Sequence, residues 1–256
     1  MKRAIISPLL KKPSLNTELY PSFRPVSNLM LVSKATEKVA ATQFWEYLCS
    51  NGLNEELQSA YKANHSCETA LIRVQDDILK AIDSHRGVLL LLVDLSAAFD
   101  TVDHEILLGR LDWLRSYLTD CTQLVKVDDA SSTVRPLHWG VPQGSVLGPM
   151  LYLLPTSPLG DIVRDHGLSF HFYADDSQLY TSFACNDTSD LVAAKQRLEN
   201  CVADINLWMT ANKLKLNNDK SEFLFLHSRF RHSLPHPTIS VGMENIGPLN
   251  RLAILA

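Results

Sequence analysis

The stretch "SFHFYADDSQLY" (Ser169 to Tyr180) constrains the fold more than any other. Apolar residues on both sides of Ala174-Asp175-Asp176 predict two strands joined by a tight turn. Adjacent carboxylates there are costly. At an effective dielectric of about 20, two unit charges ~5 Å apart repel by roughly 3 kcal/mol, before any desolvation. A chain that keeps such a pair is expected to bring positive charge to it, supplied from outside the sequence.

Upstream lies a second strand tipped by a carboxylate, "VLLLLVDL" with Asp94. It is continuous, aliphatic and short, so it reads as a strand buried on both faces. If this strand and the hairpin are sheet neighbours, Asp94, Asp175 and Asp176 meet at one edge. Oxygen-only donors of that number suit Mg²⁺. Two such ions ~3.5–4 Å apart can clamp the attacking and leaving oxygens of a phosphoryl displacement. Spacing alone leaves a plain turn open as well, since Asp is common in turns.

The rest of the chain reads as irregularly alternating helices and strands, an α+β pattern. Four prolines punctuate the first 28 residues (Pro8, Pro13, Pro21, Pro25), predicting extended segments and turns. A helix is expected after Ser33 and another from near Ser66, with Ala70, Leu71, Val74, Ile78 and Ile82 in helical register. Asp103 can cap a helix carrying Leu107, Leu108, Leu111, Leu114 and Leu118. "TQLVKVDDASSTVRPL" reads as a hairpin, and "GVPQGSVLGPMLYLL" as a loop entering a helix. A long helix carrying Leu191, Leu198, Val202 and Met209 precedes a strand, "EFLFLH", expected after Lys220.

With 256 residues and 46% hydrophobic content, the chain can bury a core as one larger domain or two small lobes. Its five scattered cysteines form no C-x-x-C pair, which argues against a disulfide framework or structural zinc and for a reducing compartment. The apolar run from Val88 to Val93 is too short to span a bilayer, and Pro8 and Lys11-Lys12 cut short any signal-like N-terminus. A soluble, intracellular protein, nuclear or cytoplasmic, is expected. Residues 1–38 carry seven basic side chains against two acids, a charge of +5 that leaves −9 for the remainder. A basic front and an acidic body suit a protein that grips phosphates with one and cations with the other; a solvated basic tail is the plainer alternative.

Order and wording go further. "LLLLVDLSAAFDTVDHEILL", "GVPQGSVLGP", "FYADD" and "LKLNNDKSEFL" succeed one another as in the palm of reverse transcriptases, most closely those of non-LTR (LINE-type, jockey- or CR1-like) retrotransposons. "RPVSNL" through "LQSAYKANHSCETAL" is similar to the fingers segment of the same family. The resemblance implies an α+β polymerase palm, an antiparallel sheet packed on helices, with a partial fingers subdomain and no thumb. It implies a fingers-like segment at 1–87, a palm at 88–228 and an incomplete primer-grip region at 229–256.

Carried over by position, Asp94, Asp175 and Asp176 become the metal-binding carboxylates for two Mg²⁺ ions. Lys220 becomes the acid that protonates departing pyrophosphate. Arg24 becomes the fingers arginine on the triphosphate. Phe99 becomes the ring that excludes a 2′-hydroxyl, and Gln143 and Gly144 the loop against nucleotide and template. The implied partners are an RNA template, a DNA primer and dNTPs, with no membrane. Each side chain also has an ordinary reading alone: Phe99 as core, Gln143-Gly144 as a turn, Lys220 as a solvated charge, Arg24 as a surface pair. His227, His232 and His236 read as part of a polar loop.

Three departures from the family pattern bear on activity. Leu111 is joined directly to Asp112-Trp113, where the family carries an extra stretch. Pro155 stands inside an expected helix, where proline costs about 3 kcal/mol. Cys121 occupies a usual arginine position. On the family pattern, neither an endonuclease region nor a thumb is expected within these 256 residues. Two main expectations follow: an RNA-directed DNA polymerase domain, or a catalytically inactive nucleic-acid-binding remnant of a retroelement. An unrelated Mg²⁺ phosphohydrolase ranks last.

Overall fold

The computed structural model describes residues 3–96, 103–105, 115–227, 236–242 and 244–249. In chain order the elements begin with β1 (Arg3–Leu10), β2 (Phe23–Asn28), α1 (Leu31–Ser50), α2 (Cys67–Asp83), β3 (Arg86–Ser96) and α3 (Arg115–Leu118). Next come β4 (Thr122–Val127), β5 (Ala130–Ser131), β6 (Arg135–Pro136), α4 (Gly148–Thr156), α5 (Pro158–Asp165), β7 (Ser169–Tyr173) and β8 (Asp176–Ala184). The series ends with α6 (Thr188–Ala211), β9 (Lys215–Leu226), β10 (Ile239–Val241) and β11 (Glu244–Ile246). They form two compact units, one of Met1–Asn54 with Ala97–Thr156, the other of Glu55–Ser96 with Ser157–Ala256.

The first unit is built on a sheet ordered β2-β1-β4-β5, with β6 also on β4. The prolines near the start do not prevent strand formation, because they sit where no ladder bond is needed. Pro8 and Pro25 face each other across β1 and β2, beyond the stretch of β1 that pairs with β4. The expected hairpin forms from β4 and β5, with Lys126 opposite Ser131. Pro149 falls in the first turn of α4, where its missing N–H breaks no helical bond. Pro155 also lies inside α4, in its last turn, where it gives no N–H to the Leu151 carbonyl; the helix ends one residue later at Thr156, whose hydroxyl donates to the Tyr152 carbonyl at 3.0 Å. The helix expected around Leu107–Leu114, and the junction at Leu111-Asp112, lie outside the described residues. Within its reach, α3 is helical and Asp103 Oδ1 accepts the Glu105 N–H at 2.8 Å.

The second unit is a four-stranded antiparallel sheet ordered β7-β8-β3-β9. β3 is central, which is why its sequence shows no polar alternation. Val88 and Leu90 join Val74, Ile78, Tyr180 and Leu224 in a cluster with α2. Leu91 points the other way, in register with Leu179 and Phe223, all three fully buried, and α6 supplies Leu191, Leu198 and Val202. Each such side chain removed from water contributes roughly 1.5–3 kcal/mol. Gly87 faces Phe183 across the ladder, and a Cβ there would overlap the ring.

Ser66 caps α2 through a reciprocal bond with Thr69, as its position predicts. Three features were not read from sequence. α5 opens on Pro158 at its first position. β10 and β11 form a hairpin closed at Gly242. β9 begins at Lys215, seven residues before the expected start at Glu222, because Leu216 is buried and Lys215, Leu216 and Asn217 pair with the end of β3.

Candidate active site

Asp94 stands near the end of β3, and its register partner on β8 is Asp176. Like charges directly opposite in an antiparallel pair are destabilising. Asp176 also closes the hairpin opposite Tyr173, leaving Ala174 and Asp175 as the turn. Ala174 takes a left-handed conformation, φ 55°, uncommon for a residue with a side chain. The backbone thus gathers three carboxylates at one end of two neighbouring strands.

The positive charge expected from outside is partly present in the chain. Lys220 Nζ lies 2.7 Å from Asp94 Oδ2, and Asn217 Nδ2 donates to the same oxygen at 3.1 Å. A register slip makes Asn217, rather than Lys220, the ladder partner of Asp94. Between the pairs Leu92–Glu222 and Asp94–Asn217, β3 advances two residues and β9 five, so β9 bulges over Asn218–Ser221. Without the bulge, Asp94 would face Lys220 across the ladder; with it, the ammonium returns over the carboxylate.

The electrostatics agree. Partial burial, then the negative charges of Asp175 and Asp94, push the Asp176 carboxyl above its ordinary value, and Lys220 pulls it back. The hydrogen bond to Asp94 raises the Lys220 ammonium above its own. Tyr61, on the segment before α2, is raised by burial and then by Asp175. Among the described residues, no group of three or more His, Cys, Asp or Glu side chains stands arranged around a metal position. The donors have the right chemistry, carboxylate oxygens only, and Lys220 occupies one Asp94 oxygen, Oδ2.

Arg24, Gln143 and Gly144 belong to the first unit. Arg24 is exposed on β2 opposite Leu9. Ser27, on the same strand, donates its N–H to the Gln143 carbonyl at 2.8 Å. Gly144 has φ 101°, and a Cβ there would lie 3.1 Å from the Ser27 carbonyl, so this position suits glycine alone. Phe99 lies outside the described residues, as does His232. Cys121 Sγ donates to the Tyr117 carbonyl.

Glu37 is a further site of interest that its own sequence neighbours do not reveal. It is 4% exposed on a helix whose other residues, apart from Leu48, are not buried. Its Oε2 accepts the Val146 N–H at 2.7 Å and the Leu147 N–H at 3.4 Å, capping the loop that leads into α4. Tyr117 bonds to Glu37 and Ser145, and burial pushes its phenol up. No local pattern marks Glu37, because its partners lie 109 and 110 residues away.

The family described as reverse transcriptase (RNA-dependent DNA polymerase) matches residues 10–241. The chain belongs to the reverse transcriptase family. It is 29% identical over 228 residues to a probable RNA-directed DNA polymerase from transposon BS of Drosophila melanogaster, a match covering 83% of this chain and 24% of that one. It is 27% identical over 213 residues to the RNA-directed DNA polymerase from mobile element jockey of the same fly, covering 78% and 23%. The resemblance to jockey-like elements read from sequence is borne out. The chain spans about a quarter of the length of these relatives. Apo telomerase from Candida tropicalis, truncated from its C-terminal domain, superimposes with TM-score 0.57 at 13% identity, over 97% of this chain and 54% of that one. That likeness agrees with the expected α+β, palm-like fold.

Proposed function

We propose that this reverse transcriptase chain is the RNA-directed DNA polymerase domain of a non-LTR retrotransposon, adding dNTPs to a primer 3′-hydroxyl on an RNA template. One observation carries the reading: Asp94 and Asp176 face each other across neighbouring strands, with Asp175 in the adjoining turn. In the reaction, the primer 3′-oxygen bonds to the α-phosphorus as the 3′-hydroxyl proton is lost. The bond from that phosphorus to the bridging oxygen breaks, and pyrophosphate leaves.

Asp94, Asp175 and Asp176 would hold two Mg²⁺ ions, whose charge when bound would stabilise the attacking and leaving oxygens. Lys220 would protonate the pyrophosphate. It keeps its proton firmly while bonded to Asp94 and yields it more readily once that carboxylate is engaged elsewhere. On the family resemblance, Arg24 would contact the triphosphate, Phe99 would exclude a 2′-hydroxyl, and Gln143 with Gly144 would line nucleotide and template. In segment terms, residues 1–87 would act as fingers, 88–228 as palm and 229–256 as part of a primer grip. Among the described residues no helix is long and apolar enough to cross a membrane.

The test is primer extension by the purified chain on an RNA template, with Asp175→Ala beside it. Incorporation by the parent and none by the variant is expected; equal synthesis by both removes Asp175 from the chemistry. Salt-sensitive RNA binding without incorporation, at any Mg²⁺ concentration, would instead favour the inactive remnant.

A further inference from the structure

The turn that carries Asp175 is held from outside the sheet by one buried side chain. β7 is an edge strand, and the segment before α2 runs along its free side. Phe172 donates its N–H to the Leu57 carbonyl at 2.8 Å, and Ser59 donates to the Phe172 carbonyl at 2.9 Å. Gln58 lies between them, 6% exposed, and its amide turns toward Ala174. Nε2 donates to the Ala174 carbonyl at 3.3 Å, and Oε1 accepts the Ala174 N–H at 3.1 Å. The same oxygen accepts the Ala60 N–H at 2.9 Å.

These partners fix which way the amide faces, since the Ala174 N–H can only donate and its carbonyl can only accept. One side chain therefore serves both backbone groups of the residue with φ 55°, replacing the neighbour strand that β7 lacks. A left-handed alanine persists only where its surroundings over-determine it. Gln58 supplies that determination from 116 residues away.

We propose that Gln58 is a positioning residue for the carboxylate turn: its amide locks Ala174 and so fixes where Asp175 and Asp176 stand relative to Asp94. The consequence for metal binding rests on the polymerase reading; the lock itself does not. Gln58→Met keeps the length of the side chain but neither donates to the Ala174 carbonyl nor accepts its N–H. Gln58→Ala removes both bonds.

Two readouts test this on the 256-residue chain. The first is amide exchange at Ala174, expected to speed up about tenfold or more in either Gln58 variant while Leu91 and Leu179 stay protected. The second is Mn²⁺ affinity by electron paramagnetic resonance, expected to fall about tenfold or more, as when a residue supporting a metal ligand is lost. Ser59→Ala is the control for a merely structural role. Its buried hydroxyl bonds His171 Nε2 at 2.8 Å, so it should lower stability and leave Ala174 exchange unchanged.

Unchanged Ala174 exchange in both Gln58 variants overturns the lock. Unchanged Mn²⁺ affinity in those variants, with binding abolished by Asp175→Asn, overturns the positioning role and leaves the polymerase reading standing. If the parent chain binds no Mn²⁺, the polymerase reading fails, and Ala174 exchange alone decides the lock. Should Gln58→Ala not fold, Gln58→Met, close in length and volume, supplies the same comparisons.

Discussion

At the scale of single residues, Lys220 serves Asp94 as a counter-ion. The ammonium is largely exposed and the carboxylate mostly buried, so their pairing is worth about 1 kcal/mol after solvent screening. Lys220→Met should lower the unfolding free energy of the ion-free chain by about that amount in urea titration. The same variant should bind Mn²⁺ several-fold more tightly without substrate, by about the affinity equivalent of that pairing; weaker binding would show that Lys220 does not compete for Asp94. His171 gives a pH prediction. Burial, then Arg73, Lys62 and His65, hold its imidazole below the ordinary value. The unfolded chain therefore takes up a proton that the folded chain refuses. Stability is full above about pH 6.5 and is lost as pH falls below it toward the lowered value. Unfolding midpoints measured across that window should slope downward with acid, and His171→Gln should flatten the slope.

At the scale of elements, α1 is tied to the loop before α4 by a single carboxylate. Glu37→Ala strands the Val146 and Leu147 N–H groups and removes a Tyr117 partner, a loss of about 2–3 kcal/mol by thermal or denaturant unfolding. Glu37→Gln retains an oxygen that can accept and should cost less. Equal losses in the two would mean that charge, not the acceptor, is what the loop requires. β9 shows the same principle in a strand: its bulge makes Asn217 the ladder partner of Asp94, and the Lys220 ammonium still reaches the same carboxylate.

At the scale of the molecule, the two units interleave along the chain, passing from one to the other after Asn54, Ser96 and Thr156. β1 pairs with β4, more than a hundred residues later, so a fragment ending at residue 87 lacks part of its own first sheet. The basic residues at 1–38 and the carboxylates fall in different units. If the basic segment meets RNA, and about four phosphates are neutralised, affinity should fall roughly fifty-fold between about 50 and about 200 mM salt. A flat salt response in a filter-binding titration would remove phosphate contact as the basis of binding.

Local patterns sufficed for much of this architecture. The aliphatic run of β3, the turn at Ala174, the cap at Ser66 and the register of α6 are consequences of residues within a few positions of one another, and neighbour sterics and periodic burial act at that range. The order of four short motifs was enough to place the chain in its family. Three connections needed the folded chain: Lys220 on Asp94 across a slipped ladder, Glu37 on the loop before α4, and Gln58 on Ala174. Each is a polar side chain satisfying a group about a hundred residues distant. Such pairings leave no periodicity behind, because what selects them is the high cost of burying an unpaired polar atom once the chain has already folded around it.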